Sequence, residues 1–300
     1  AIYNAILPEI VNQKMVIPKS ESVMIRLKEI AENGFSPTTL TSYIRNPIQF
    51  YFQRILKIKE VEEVEENIAV NTLGTIIHET LKSLYDPFLG KFISENDLLN
   101  CIKQIDEEVM KQFKIVYKEG EIKKGRNLLA FEVAKRNIYN FLKVELESVI
   151  SGDTIKIIAL EQRYERTFEH SNLPFPIKIG GSVDRIELRN GVLRIIDYKT
   201  GKVDKGTVTL TTWTDLTKDI VNEKIIQVLA YAFMYEELAL GQPMEAGIIS
   251  FKNLKSGFLP FTFKIEKELN TLISKDTIEQ YLEQIAILLV EIFNENISFE

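Results

Sequence analysis

The sequence predicts one α/β domain whose N-terminal half is helical and whose C-terminal half is built around a β-sheet. Up to about residue 150, apolar residues recur at helical spacing. From about residue 155 they alternate with polar residues, which is the period of a strand. Asn190 and Gly191 stand between two of the alternating segments and are a strong signal for a two-residue hairpin turn. These observations together indicate helices followed by a sheet.

Helix start signals open the N-terminal half. Residues 1–35 show only weak periodicity and lack an initiating methionine, so we expect a linker or the remnant of a longer chain. Ser36 followed by Pro37 is an N-cap with proline at the first helical position, and Asn46 with Pro47 repeats this signal for a second helix. Longer helices are predicted over residues 68–85, 96–118 and 126–150.

The C-terminal half combines strands with two helices. Strands are predicted over residues 155–168, 177–189, 192–199, 245–252 and 258–265, and helices over 223–239 and 276–293. We therefore treat residues 36–300 as a single domain with a helical part, 36–150, and a sheet-centred part, 151–300.

Composition excludes several classes of site. Cys101 is the only cysteine, so disulfides within the chain, tetrahedral cysteine zinc sites and four-cysteine iron–sulfur clusters are excluded, and Cys101 is predicted to lie in the core. No stretch approaches the roughly 18 to 20 apolar residues of a membrane helix and no signal pattern is visible, so we expect a soluble, cytoplasmic protein. The net charge of −6 argues against a broadly basic surface but allows a local basic track.

The hairpin turn predicts the register of the strands on either side of it. With Arg189 opposite Val192, the ladder brings Asp184 opposite Asp197. Because side chains alternate along a strand, both carboxylates and Lys199 share the face that carries the apolar residues of the hairpin. The sequence therefore predicts two carboxylates and one ammonium on a partly buried face.

Such a face needs a compensating charge. Like charges about 5 Å apart on neighbouring strands are unfavourable unless a cation or a shared proton lies between them. A divalent metal is the natural compensation, and Lys199 would then orient or deprotonate a water. An isolated Asp-x-Lys triplet more often faces solvent. Here Glu187 and Arg194 are expected to form the exposed face of the hairpin, which favours a site on the other face.

Motifs along the chain carry a resemblance to a known family. They are SPTTLTSYIRNPIQFYF from Ser36, GTIIHETL from Gly74, GSVDRIE from Gly181, IDYKTG from Ile196, and the Q-x-x-x-Y pair of Gln227 and Tyr231. These motifs resemble the RecB-like branch of the PD-(D/E)xK nucleases. The likeness is closest to the C-terminal nuclease domain of AddB-type helicase–nuclease subunits, and it extends from Ser36 to the last predicted strands.

The resemblance implies a fold and a set of site residues. The fold is a restriction-endonuclease-like core, in which helices flank a mixed central β-sheet. The metal, Mg²⁺ or Mn²⁺, is expected to be bound by His78, Asp184, Asp197 and the main-chain carbonyl of Tyr198. Lys199 matches the catalytic lysine.

The resemblance also implies supporting residues and one departure. Gln227 and Tyr231 match a helix motif that supports the active site or contacts DNA, and Glu161 in LEQRY matches a glutamate of less defined role. Some members hold an iron–sulfur cluster, with one cysteine just before the early proline and three near the C-terminus. This chain has Asn46 at the first position and no cysteine near its end, so we expect no cluster.

The predicted function is metal-dependent hydrolysis of DNA phosphodiesters, and the resemblance implies that it leaves 5′-phosphate ends. The resemblance implies a nuclease module of a recombination or repair helicase–nuclease, with DNA and a helicase domain or subunit as partners. The alternative is a catalytically silent structural or DNA-binding module of such a complex. A metal-dependent hydrolase of another substrate is a third possibility. All proposed ligands and Lys199 are present, which favours activity.

Overall fold

Helices form the first half of the chain, as the periodicity predicts. The computed structural model describes residues 15–58, 68–117 and 124–300. The helices of the first half are α1 (Glu21–Asn33), α2 (Pro37–Arg45), α3 (Pro47–Phe50), α4 (Val70–Tyr85), α5 (Glu95–Val116) and α6 (Gly125–Ile150). A short π-helical segment, Tyr51–Ile55, continues α3.

Both start signals are confirmed by side-chain caps. The Ser36 hydroxyl accepts a hydrogen bond from the Thr39 N–H at the start of α2, and the Asn46 side chain accepts one from the Gln49 N–H at the start of α3. Each cap satisfies one of the N–H groups that a helix leaves free at its N-terminus. The turn between the two helices is therefore set by local sequence.

The described part of residues 1–35 packs on the domain. Helix α1 buries Val23, Leu27 and Ala31, and Ile17 forms an isolated antiparallel bridge to Phe299 near the end of the chain. Residues 1–14 of the predicted linker lie outside the described residues. Burial of one face of α1 gives this segment a tertiary role that weak periodicity does not reveal.

A five-stranded mixed sheet forms the centre of the C-terminal half. Its strands are β1 (Ile155–Phe168), β2 (Ile177–Arg189), β3 (Val192–Lys199), β5 (Met244–Ser250) and β6 (Phe258–Pro260), in that spatial order. The pair β3–β5 is parallel and the other pairs are antiparallel. A small second sheet contains β4 (Thr209–Leu210), β7 (Thr262–Ile265) and β8 (Glu268–Asn270). The predicted mixed α/β architecture is confirmed.

The hairpin between β2 and β3 has the predicted register. Arg189 lies opposite Val192, and the pairing continues to Arg185 opposite Ile196. Asn190 and Gly191 have positive φ angles of 51° and 82°. A two-residue turn of this kind matches the right-handed twist of the strands, which explains why the dipeptide is so predictive.

The predicted strand 258–265 is divided between the two sheets. β6 ends at Pro260, which has no N–H to donate to a ladder. The chain then enters β7 of the second sheet. The expectation of one continuous strand was therefore wrong.

The close approach of β5 and β6 requires a glycine in β5, because a Cβ added at Gly247 would lie 2.2 Å from the Leu259 carbonyl oxygen.

Helices cover both faces of the central sheet. One core cluster joins the sheet to α1, α2, α7 (Glu223–Tyr235) and α8 (Lys275–Phe293), and the other joins it to α4, α5 and α6. Cys101 lies in the second cluster, as predicted, and is 3% exposed. Within the described ranges, no helix is both long and apolar enough to cross a membrane.

The expectation that Glu187 and Arg194 form an exposed face of the hairpin was wrong. Glu187 is 1% exposed, and Arg194 is partly buried against Glu245, with 3.1 Å between Nε and Oε2. The reason is tertiary, since the helices α4 to α6 cover this face of the sheet as the other helices cover the opposite one.

Candidate active site

Three adjacent strands and one helix bring charged side chains to a single point. Asp184 lies on β2, Asp197 and Lys199 on β3, and His78 on α4. Glu161 lies on β1 beside Asp184, because Leu160 pairs with Arg185 and Gln162 pairs with Val183. Residues far apart in sequence thus meet at the open end of the β2–β3 hairpin, away from its turn.

His78, Glu161 and Asp184 form a compact group. His78 Nδ1 lies 3.4 Å from Glu161 Oε1 and 3.6 Å from Asp184 Oδ2. One ligand atom from each of the three side chains lies within 4.8 Å of the other two. The family resemblance implies a group of His78, Asp184 and Asp197, whereas in the structure Glu161 completes the group and Asp197 is not part of it.

Glu161 has an unusual backbone conformation for a strand residue. Its φ angle is 46°, in the left-handed region, and β1 also shifts register between Ile157 and Ala159. Holding a non-glycine residue in this region costs about 1–3 kcal/mol, and such conformations cluster at functional sites. A sequence that reads as a regular strand gives no signal for this conformation.

Asp197 and Lys199 form a separate pair next to this group. Lys199 Nζ lies 2.6 Å from Asp197 Oδ2, and the Asp197 side chain is 2% exposed. Burial raises the pKa of Asp197 to about 6, with a contribution from the Asp184 charge, although Lys199 and His78 lower it. The two aspartates therefore interact, as the hairpin register predicts.

The carboxylates of Asp184 and Glu161 favour a positive charge on the His78 imidazole. Burial opposes protonation of the imidazole, but hydrogen bonds and charges from Asp184 and Glu161 outweigh burial and raise the pKa of His78 to about 10. The site therefore favours positive charge between these carboxylates.

Tyr198 connects the site to the opposite face of the sheet. Its main-chain N–H donates a hydrogen bond of 2.6 Å to Asp184 Oδ2. Its side chain is buried, with the ring 5.7 Å from the His78 ring, and its hydroxyl accepts from Arg185 Nη1 at 3.3 Å. The role of its carbonyl as a ligand stays a prediction.

Gln227 and Tyr231 lie on one face of α7, as their spacing predicts. Gln227 Nε2 donates to the Tyr231 hydroxyl over 2.8 Å. Burial raises the pKa of Tyr231, and the charges of Asp197, Asp184 and Glu161 raise it further. Tyr231 therefore stays a neutral phenol close to the three carboxylates.

A buried ionic network behind the site was not predicted. Arg185, which is fully buried, lies 3.1 Å from Glu145 and 2.5 Å from Glu187, measured from Nη2 to Oε1 and Oε2. Arg189 contacts the same two carboxylates at 2.9 and 2.8 Å. The alternation Asp-Arg-Ile-Glu over residues 184–187 was an available signal, because charges on both faces of one strand imply polar partners on both sides.

The donor set fits a divalent cation. Two carboxylates and one imidazole have their ligand atoms within 4.8 Å of one another. Carboxylates and imidazole are normal ligands for divalent ions, and the buried Asp197 offers another anionic oxygen nearby. The residues present can therefore hold such an ion.

Metal affinity should rise with pH. The imidazole must lose its proton to act as a ligand, and His78 is protonated at neutral pH because its pKa is about 10. Release of one proton predicts an affinity for Mn²⁺ that increases about tenfold per pH unit below that pKa. Calorimetry between pH 7 and 9, in buffers with different ionisation enthalpies, measures both the affinity and the proton release. A constant affinity without proton release across this range would contradict ligation by a His78 imidazole whose pKa is raised to about 10.

Comparisons with known proteins identify similar chains. The model of the PD-(D/E)XK nuclease superfamily matches residues 34–300. An uncharacterized protein of Rickettsia bellii (strain RML369-C) is 25% identical over 288 residues, which is 89% of this chain and 30% of that protein. An uncharacterized protein of Rickettsia felis (strain ATCC VR-1525 / URRWXCal2) is 26% identical over 181 residues, 56% of this chain and 19% of that protein. The chain thus spans less than a third of either relative.

A solved structure is also similar in part. It is described as the crystal structure of SSO0001, has 20% sequence identity, and aligns with a TM-score of 0.25 over 73% of this chain and 85% of that one.

Proposed function

This chain belongs to the PD-(D/E)XK nuclease superfamily, and from that premise we propose that it is a Mg²⁺- or Mn²⁺-dependent deoxyribonuclease. The observation that carries the proposal is the convergence of His78, Glu161 and Asp184 beside the Lys199–Asp197 pair. The superfamily suggests nuclease activity, and its members generally use divalent metals. The choice of DNA and of these two metals is part of the proposal.

The proposed ligands are His78, Asp184, Asp197 and the main-chain carbonyl of Tyr198, and we add Glu161 on the basis of its distance from His78. A bound divalent cation would polarise the scissile phosphate and lower the pKa of a bound water. The hydrogen bond from the Tyr198 N–H orients the Asp184 carboxylate.

Lys199 is the proposed catalytic residue. Its side chain is 29% exposed, so the ammonium can reach substrate from its position beside the buried Asp197. There it would position the attacking water and stabilise the negative charge that develops on the phosphate. In-line attack that expels the 3′-oxygen would leave a 5′-phosphate end. Gln227 and Tyr231 would support the site or contact DNA next to Lys199, because Gln227 lines the same groove.

We propose further that the chain is the nuclease module of a recombination or repair helicase–nuclease. Two observations support this context. The motifs resemble the RecB-like branch and AddB-type subunits, and the relatives are more than three times as long as the region that they share with this chain. A helicase domain or subunit is the proposed partner.

Cleavage assays test the proposed activity. The protein is titrated with Mg²⁺ or Mn²⁺ in the presence of end-labelled linear DNA, circular DNA and small phosphodiester nucleotides. We expect metal-dependent cleavage of DNA that EDTA abolishes. Cleavage of the small nucleotides alone would instead support a hydrolase of another substrate. Absence of cleavage for all DNA forms across metals and pH, also after addition of the helicase partner, would support the silent module.

A further inference from the structure

A groove extends from Lys199 between the N-terminal helices and the start of α7. Its volume is about 510 Å³. One wall is formed by α2 and the π-helical segment, and the other by α7 and the residues that follow β3. The proposed catalytic Lys199 therefore lines the groove, whereas the residues of the His78 group do not.

The groove is cationic in a protein whose formal net charge is −6. Among its lining residues, the single carboxylate is that of Glu223. The lining cations are Arg45, Arg54, Lys199, Lys202 and Lys224. Such a local excess of positive charge attracts an anionic ligand, whatever the sign of the whole protein.

Arg54 has unused hydrogen-bonding capacity. Its Nε is buried and has no hydrogen-bond partner among the described residues, and Arg54 forms no ion pair with any of them. Glu223 instead pairs with two of the other four lining cations, in a close contact to Arg45 and at 3.2 Å from Lys224 Nζ. A guanidinium without a carboxylate is suited to a phosphate that comes from outside the protein.

The remaining lining groups suit a sugar–phosphate backbone better than bases. Hydroxyls of Thr41, Ser42 and Thr200 line the groove. Its lining contains no aromatic side chain, so the stacking platform typical of base recognition in single strands is absent from these residues. Arginine, lysine and hydroxyl side chains are the usual contacts of phosphate oxygens and carry no sequence information.

We propose that this groove binds the phosphodiester backbone of the DNA strand that flanks the scissile phosphate, independently of sequence, with Arg54 as a phosphate ligand and Glu223 as a restraint on affinity. The inference rests on the proposed function, because the groove would bind the substrate that the proposed active site cleaves. Arg45 and Lys224 are paired with Glu223, and they contribute to DNA binding when substrate phosphates displace that carboxylate. The groove therefore accounts for DNA contact without a broadly basic surface.

Two substitutions should act in opposite directions. Arg54→Ala removes one phosphate contact and should weaken DNA binding equally for all sequences. The slope of log K against log salt should become shallower by about 0.9 for duplex and about 0.7 for single strands. Glu223→Gln removes the only lining carboxylate and should strengthen binding. Arg54→Lys keeps the charge and should retain most of the slope. Arg136→Ala is the matched control, since Arg136 is exposed and lines a different pocket between α5 and α6.

Binding is measured by fluorescence anisotropy over a KCl series, in EDTA so that no cleavage occurs. Labelled single-stranded and duplex oligonucleotides of two unrelated sequences identify which form supplies the backbone. Thermal melting confirms that each variant is folded. Wild-type affinity and slope in both Arg54→Ala and Glu223→Gln would overturn the inference, as would absence of DNA binding by the wild type. Because these measurements need no turnover, the two failures are distinguishable. A protein that binds DNA through the groove but never cleaves it would refute the proposed nuclease activity and leave the groove as a DNA-binding site.

Discussion

Replacement of Lys199 with alanine is expected to lower the rate of DNA cleavage by about 100-fold or more, the effect of losing one positioned catalytic group. The fold should survive, because the Lys199 side chain is partly exposed and lies at the end of β3. Much of the DNA affinity should also remain, since other cations line the groove. A silent module predicts no such separation of rate from binding.

Part of this loss should depend on pH. Burial raises the pKa of Asp197 to about 6 even with Lys199 beside it. Without the ammonium this pKa rises further, so a larger fraction of Asp197 is protonated near neutral pH. Raising the pH ionises Asp197 again, and the variant should then recover some of the rate relative to the wild type. The catalytic contribution of Lys199 itself is the loss that remains at high pH.

The rate is measured by single-turnover cleavage of labelled DNA between pH 6 and 9. Lys264→Ala is the control, because Lys264 is an exposed lysine on β7 of the second sheet. Thermal melting shows whether the proteins are folded. Equal cleavage by wild type and Lys199→Ala would contradict the assignment of Lys199 if Asp184→Ala abolishes cleavage, because loss of activity in that variant excludes a contaminating nuclease.

Replacement of Arg185 with methionine is expected to destabilise the protein by about 3–5 kcal/mol, the usual cost of removing one partner from a buried ion pair. Arg185 is fully buried and contacts Glu145 and Glu187, and it also donates to the Tyr198 hydroxyl. Arg189 still reaches both carboxylates but cannot neutralise two charges. The variant therefore buries an excess of negative charge.

The pH dependence of stability should distinguish this cause from a packing defect. In the wild type, burial opposes ionisation of Glu187, but Arg185 and Arg189 outweigh burial and hold its pKa below the usual 4.5. This contribution is present above pH 4.5 and is lost as the pH falls through the lowered pKa. In the variant, the pKa of Glu187 rises instead, and protonation relieves the buried charge. The difference in the free energy of unfolding between wild type and Arg185→Met should therefore shrink as the pH falls from 7 toward 4.5.

Urea denaturation at several pH values measures the free energy of unfolding. Lys275→Met is the control, since Lys275 is 83% exposed in its contact with Glu279 and its loss should change stability little. A deficit of Arg185→Met that is constant with pH would indicate lost packing and contradict the electrostatic explanation.

Local sequence signals predicted most secondary structure. The caps at Ser36 and Asn46 and the turn at Asn190 and Gly191 involve groups only a few residues apart, so a single sequence contains all the information they need. The register of β2 and β3 followed from that turn. The split after Pro260 was missed because the alternation of apolar and polar residues does not show whether a chain stays in one sheet or passes to another.

Some site residues were likewise predictable from local sequence and others were not. The proximity of Asp184, Asp197 and Lys199 followed from one hairpin, whereas the place of His78 was supplied by a family resemblance and not by spacing. Glu161 was assigned a less defined role, and its contact with His78 depends on a left-handed backbone within β1. The catalytic and ligand roles of these residues stay predictions until they are measured.

The helices, the hairpin and the two carboxylates that meet across it were predictable from the amino-acid sequence, because they follow from backbone geometry over short distances. Tertiary structure decided which faces are buried. Glu187 lies in the interior because α4 to α6 cover its face of the sheet, and it is compensated by Arg185 and Arg189. Tertiary structure also decided that cations from α2, the π-helical segment and α7 form one groove beside Lys199. Contacts between elements far apart in the chain depend on how the layers pack, and no local pattern encodes that packing.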